Sequence, residues 1–144
     1  ASDIRYVYPS TAPAVGQVLQ YTSLSGSDYI LSWSTITSKS VSILSPTGTD
    51  KITLFFSIAA ITITQFTAVV RGTTPSVTYK VYYGTSRASG TAVVTAGSTV
   101  TSTTTGDTVT SFNNSAPSAN SFIWVEITAT SGTVDEFHLT VFYR

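Results

Sequence analysis

The stretch STVTSTTTGDTVT, residues 98–110, reads either as a Ser/Thr-rich tether or as part of a sheet. The choice decides whether the chain is one compact body or two pieces on a flexible rope. Between Gly97 and Gly106 the only apolar residue is Val100, but Val93, Val94, Val109 and Phe112 flank the run closely. Thr is itself a strand former, and Pro, on which stalks and stiff linkers depend, is absent here. A pair of strands turning near Gly106-Asp107, with hydroxyls on the wet face, is therefore expected.

On either side of this run the two-residue rhythm is nearly continuous from Ser40 onward. Val41 and Ile43 alternate, then Ile52, Leu54 and Phe56, then Ile61 and Ile63. Beyond Gln65 the apolar positions become Phe66, Ala68 and Val70, a shift of one that would turn the buried face outward, so a β-bulge or bend is expected near Gln65. RGTTP, with Gly72 and Pro75, reads as the end of a strand. Val77, Tyr79, Val81 and Tyr83 resume the alternation, and GTSRASG is a turn. The chain closes with FIWVEIT, placing Ile123, Val125 and Ile127 on one face, and EFHLTVFY, placing Phe137, Leu139, Val141 and Tyr143 on one face. Short strands separated by Gly/Pro/Ser turns predict an all-β, antiparallel, jelly-roll-like sandwich over residues 39–144.

Composition points the same way. The chain has 144 residues, enough for one core. Hydrophobic residues make up 42% and charged residues only 10%, and roughly a third of the chain is Ser or Thr, so hydroxyls rather than ions carry solubility. Seven basic residues balance seven acidic ones, leaving no single-sign field to attract phosphates or anionic lipid; neither nucleic acid nor membrane insertion is expected. Without cysteine there is no disulfide, thiolate nucleophile or cysteine metal site. No apolar run is long enough to span a bilayer as a helix. The lack of any Met leads us to expect a processed or trimmed start.

Residues 1–38 behave differently. Ile4, Tyr6 and Tyr8 alternate, Pro9 and Pro13 bracket small residues, and LSGSD separates Gln17–Thr22 from Tyr29–Ser34 as a hairpin would. A lone hairpin is marginal in water, so this arm is expected to lean on another surface. Ile4, Tyr6, Tyr8, Val18, Leu19, Tyr21, Tyr29 and Trp33 are its candidate attachment or oligomer contacts.

No constellation spells out a reaction. The single histidine, His138, lies with Glu136 and Thr140 on the face opposite Leu139, and reads as a solvated outer-face residue rather than part of a triad. The carboxylates fall mostly in turns, and no P-loop, dinucleotide, zinc or EF-hand spacing occurs. No enzyme activity, metal or cofactor is expected. Asn113-Asn114-Ser115 fits the N-glycosylation pattern within a turn-rich loop. Tyrosines and tryptophans carry the surface interest. Tyr82 and Trp124, with Phe55 and Phe142, are expected on an outward face more apolar than a solvated monomer needs, there to meet a subunit or stack on a sugar. Tyr82, Trp124, His138 and Phe142 are thus the candidate glycan or interface surface.

Two stretches also carry a resemblance. PAVGQVLQYTS…YILSWSTI resembles an element recurring in phage fibre and appendage proteins. ITIT through VVRGTTPSVTYKVYYG, then STTTG, PSANSFIWVEI and SGTVDEFHLTV, are similar to a domain at the C-terminal end of many tailed-phage and environmental viral structural proteins. The likeness runs from about Gly16 onward. It implies a virion surface component of fibre, spike or capsid-decorating type, β-rich, often trimeric and without a catalytic residue. Contacts with itself and with other virion proteins are expected, and a host surface glycan is a further candidate partner. The alternative from the residues is a carbohydrate-binding module using exposed Tyr and Trp.

Overall fold

The computed structural model describes residues 5–13, 17–25, 28–34 and 37–144. Ile4 lies outside them, as do the side chains of Val18, Tyr21 and Trp33. The chain forms two compact units, Ala1–Ile36 and Thr37–Tyr143. No helix occurs among the described residues.

The first unit is a three-stranded sheet. Strand β1 (Arg5–Val7) runs parallel to β3 (Asp28–Ser34), which pairs antiparallel with β2 (Val18–Ser25). The hairpin β2–β3 was expected. The added parallel strand was not, and it is held by side-chain pairing: Arg5 Nε donates to Asp28 Oδ1 at 3.0 Å, and the rings of Tyr6 and Tyr29 lie 5.5 Å apart.

The second unit is an all-β antiparallel sandwich. Its strands are β4 (Thr37–Leu44), β5 (Lys51–Ser57), β6 (Ile63–Ser86), β7 (Ser89–Ala92), β8 (Ser98–Val100), β9 (Asp107–Val109) and β10 (Ser121–Tyr143). The two long strands pair antiparallel from Phe122↔Gly84 to Tyr143↔Ile63, and this single ribbon folds over so that each half enters a different layer. One layer holds β4, the last part of β10, the first part of β6, and β9. The other holds β5, the first part of β10, the last part of β6, β7 and β8. Tyr79 from one layer meets Phe137 from the other at 5.2 Å between ring centroids. Around that contact Val70, Val77, Val81, Ile123, Val125, Leu139 and Val141 are buried, each side chain contributing about 1.5–3 kcal/mol of apolar burial.

RGTTP, expected to end a strand, instead turns one. Gly72 and Thr74 have positive φ on β6, Gly132 has positive φ on β10, and the register slips between Ser131 and Thr133 and between Val134 and Glu136. Pro75, which has no N–H to donate, has no ladder partner between the pairs Thr73↔Thr133 and Ser76↔Ser131. Both strands thus bend together without either being cut. The slip expected near Gln65 is present: Gln65 faces Phe142 and Ile63 faces Tyr143, leaving Thr64 over, and burial passes from Ile63 to Phe66.

The threonine track is sheet at both ends, but its two strands do not pair with each other. β8 joins Val77–Tyr79 in one layer and β9 joins Phe66–Ala68 in the other, so residues 101–106 cross between layers. The crossing is closed by its own hydroxyls and a carboxylate: Thr101 N–H donates to Asp107 Oδ2 and Gly106 N–H to Ser102 Oγ, while Val70 N–H donates to Ser102 O.

Candidate functional site

Three surfaces hold the residues of interest. In the first unit Tyr6 and Tyr8 are 60% and 64% exposed, and Val7 and Leu19 are also exposed. Tyr29 is half-buried against Tyr6. Apolar side chains at this exposure on a three-stranded sheet are more than a solvated piece needs.

The outer face of the layer containing β4 is a bed of hydroxyls. His138 Nδ1 and Ser42 Oγ are 2.8 Å apart, His138 Nε2 and Thr140 Oγ1 3.3 Å, and Ser40 Oγ and Thr140 Oγ1 2.8 Å. Both imidazole nitrogens are thus engaged by neutral partners on the outward face where the alternation placed the ring. Phe142, in the same strand, is half-buried beside Ser38 and Gln65.

The outer face of the second layer departs from expectation at Trp124. Register does place Trp124 beside Tyr82, yet Trp124 is only 2% exposed. Its ring stacks on Tyr82 at 5.6 Å with 14° between planes, and the β6–β7 hairpin brings Gly90 against its far edge. A Cβ on Gly90 would collide with Trp124 Cη2 and come within 2.6 Å of Cζ2, so the absence of a side chain at position 90 is what lets the hairpin cover the indole. Trp124 Nε1–H donates to Glu126 Oε1 at 2.9 Å, Lys51 Nζ reaches the same oxygen at 3.0 Å, and Arg87 at the hairpin tip donates to the Lys51 carbonyl. Trp124 therefore anchors a hairpin and offers no ring to a sugar or a subunit.

Burial pushes the Glu126 carboxyl up, but the hydrogen bonds from Trp124 and Lys51, with the positive charges of Lys51 and Arg87, outweigh it and hold the carboxyl below its ordinary value. A depressed folded-state pKa contributes stability above the unfolded value and loses it as pH falls through the folded one. Melts taken from neutral pH down through the carboxylate range should show this acid loss diminished in Glu126→Gln; an unchanged acid limb would mean the cluster contributes nothing.

Phe55 and Phe56 exchange the faces that alternation assigns them. The register slips between Ile123 and Trp124, opposite Leu54, so Phe55 faces Ile123 and packs on the core, stacking on Tyr143 at 4.7 Å. Phe56 turns outward, 46% exposed, against Phe122 at 4.8 Å. Ile58, just beyond, is 80% exposed. Beside them lies an open hollow of about 410 Å³ lined by Tyr83, Thr85, Ser89, Thr91, Ser118 and the glycines 84 and 90. Sequence reasoning missed this end of the sandwich, because its signal is a single bulge that periodicity does not reveal.

Among the described residues no group of three or more His, Asp or Glu is placed to hold a metal ion. No family model and no curated protein matches the chain. Among solved structures it is similar to the CBM32 of AlyQ in complex with 4,5-unsaturated mannuronic acid: 21% identity, TM-score 0.49, covering 71% of this chain and 75% of that one. It is also similar to a chain of the cyanophage Pam1 capsid asymmetric unit: 13% identity, TM-score 0.48, covering 94% and 90%. A third likeness is to a protein of infectious bursal disease virus, Gt strain, with 15% identity and TM-score 0.36, covering 90% of this chain and 37% of that one.

Proposed function

We propose that the chain is a non-enzymatic structural component of a virus particle, of the bacteriophage fibre, spike or capsid-decorating kind. In this reading it assembles as a homotrimer, attaches through its first unit to other virion proteins, and presents the sandwich at the particle surface. The exposure of Tyr6, Val7, Tyr8 and Leu19 on the N-terminal sheet carries the reading. Such a sheet gains stability by being covered, whereas the long edges of the sandwich are guarded. Edge strand β4 places Lys39 opposite the buried Val141, an inward-side charge that would be stripped of water by a strand added there. Edge strand β5 carries the bulge at Leu54 and the Lys51–Glu126 pair. The viral resemblance in the sequence agrees with this division of labour.

Light scattering on a sizing column tests it. The full chain should run as an oligomer, trimeric by expectation, and a fragment beginning at Thr37 should run as a folded monomer with a strand-type dichroism spectrum. A monomeric full chain would overturn the reading, as would a fragment that assembles as well as the parent.

A further inference from the structure

We propose that the end of the sandwich formed by Phe56, Phe122 and the adjoining hollow binds a neutral saccharide. The register sets Phe56 opposite Phe122 and Phe122 opposite Gly84, so an aromatic platform runs directly into the glycine and hydroxyl residues lining the hollow. The platform is held in place. Ser57 Oγ–H donates to Ala59 O at 2.7 Å, Ile61 N–H to Pro117 O at 3.1 Å and Ile63 N–H to Ser115 O at 2.8 Å, so the segment carrying the exposed Ile58 is tied to the loop before β10. Exposed aromatic area on a pinned surface is available to a ligand at little ordering cost.

The chemistry of the lining selects the ligand. Tyr83, Thr85, Ser89, Thr91 and Ser118 are hydroxyl residues, a type that can both donate and accept, and Gly84 and Gly90 bring backbone to the lining. None of these residues bears a carboxylate, an amine or a guanidinium, and Arg87 on the same hairpin lies outside the lining, where it donates to the Lys51 carbonyl and its charge acts on Glu126. An anionic or cationic ligand would be desolvated here without a counter-charge. A sugar ring has what the surface offers: one face of C–H groups for an aromatic platform, and a rim of hydroxyls for a bed of uncharged donors and acceptors. The inference rests on the sandwich alone and stands whether or not the first unit assembles.

The full chain should be screened against immobilised neutral polysaccharides (glucans, galactans, mannans) and acidic ones, and its best neutral oligosaccharide titrated by calorimetry. Binding to at least one neutral class is expected. Phe56→Ala should weaken it tenfold or more, and Ser118→Trp, which fills the hollow from an exposed loop position, should abolish it. Leu44→Ala, at an exposed apolar site elsewhere, should leave it unchanged. Phe56→Ala gives up the contact with Phe122 and should lower the melting temperature by a few degrees, so binding is titrated well below both variants' melting temperatures, where each should keep the parent's dichroism spectrum. Absence of neutral-saccharide binding overturns the proposal, and so does binding that both variants retain. If Phe56→Ala instead dissociates an oligomer without touching sugar binding, the patch is a contact between copies and the proposal is wrong.

Discussion

Gly132→Ala should destabilise the sandwich by about 3 kcal/mol or more, out of a total that for a domain of this kind is about 5–15 kcal/mol. Gly132 has φ +68°, a conformation in which a Cβ is strained, and the added carbon would collide with the backbone carbonyl of Thr74 on the facing strand. A flexible side chain could swing away from such a contact, but a backbone carbonyl at a corner between two paired stretches moves only if the chain itself shifts. Gly72 is in the reciprocal position, its missing Cβ lying against the Thr133 carbonyl. The two glycines are where the β6–β10 ribbon folds from one layer to the next, so the substitution strikes the element on which both layers depend. Gly48→Ala is the matched control: its Cβ would come no nearer than 3.7 Å to any neighbour, and little change is expected. Urea unfolding followed by dichroism measures both. A Gly132→Ala protein as stable as its parent would show that the fold does not need its corner as described.

The second large effect is at Trp124. Trp124→Ala should cost about 3–5 kcal/mol, the range for emptying a large aromatic site. It removes the stack on Tyr82, leaves the Gly90 hairpin over a void, and takes from Glu126 its indole donor. Gly90→Ala attacks the same packing from the opposite side, and overpacking of that kind costs about 1–3 kcal/mol. A surface aromatic would behave otherwise, with a change within about 0.5 kcal/mol. The same urea experiment therefore separates a structural indole from a binding platform, and a near-neutral Trp124→Ala would restore the second meaning.

Much of the sandwich was legible because period-2 alternation is a direct record of which face is buried. Phe137, Leu139 and Val141 are buried as the pattern requires, and Phe66, Ala68 and Val70 recover the core after the slip at Thr64. Alternation says nothing about what lies over the outer face. Trp124 occupies the outward side its position implies and is nevertheless covered, because a hairpin 34 residues earlier in the chain closes on it through Gly90. Alternation also fails wherever a bulge is not announced by the apolar residues themselves. In KITLFFS three consecutive apolar residues, Leu54, Phe55 and Phe56, fit either phase, so the exposed Phe56 and the candidate site beside it were hidden. RGTTP misled for a related reason: Gly and Pro mark both a strand's end and a corner within one, and only the partner strand, with its own Gly132, tells them apart.

The long ribbon has a consequence for how the protein comes into being. β6 can find its main partner only after β10 has been made, and the pairs nearest along the chain, Gly84 with Phe122, still enclose the whole threonine track. A chain emerging from the ribosome can pair β6 with β7, β8 and β9 first, while the edge of β6 that meets β10 stays open until that strand is made, and closing the long loop between the two costs chain entropy. The intervening residues are rich in hydroxyls and poor in hydrophobes, so they add little apolar surface beside that open edge before β10 arrives. Thr and Ser in that track thus serve the newborn chain as well as the finished one.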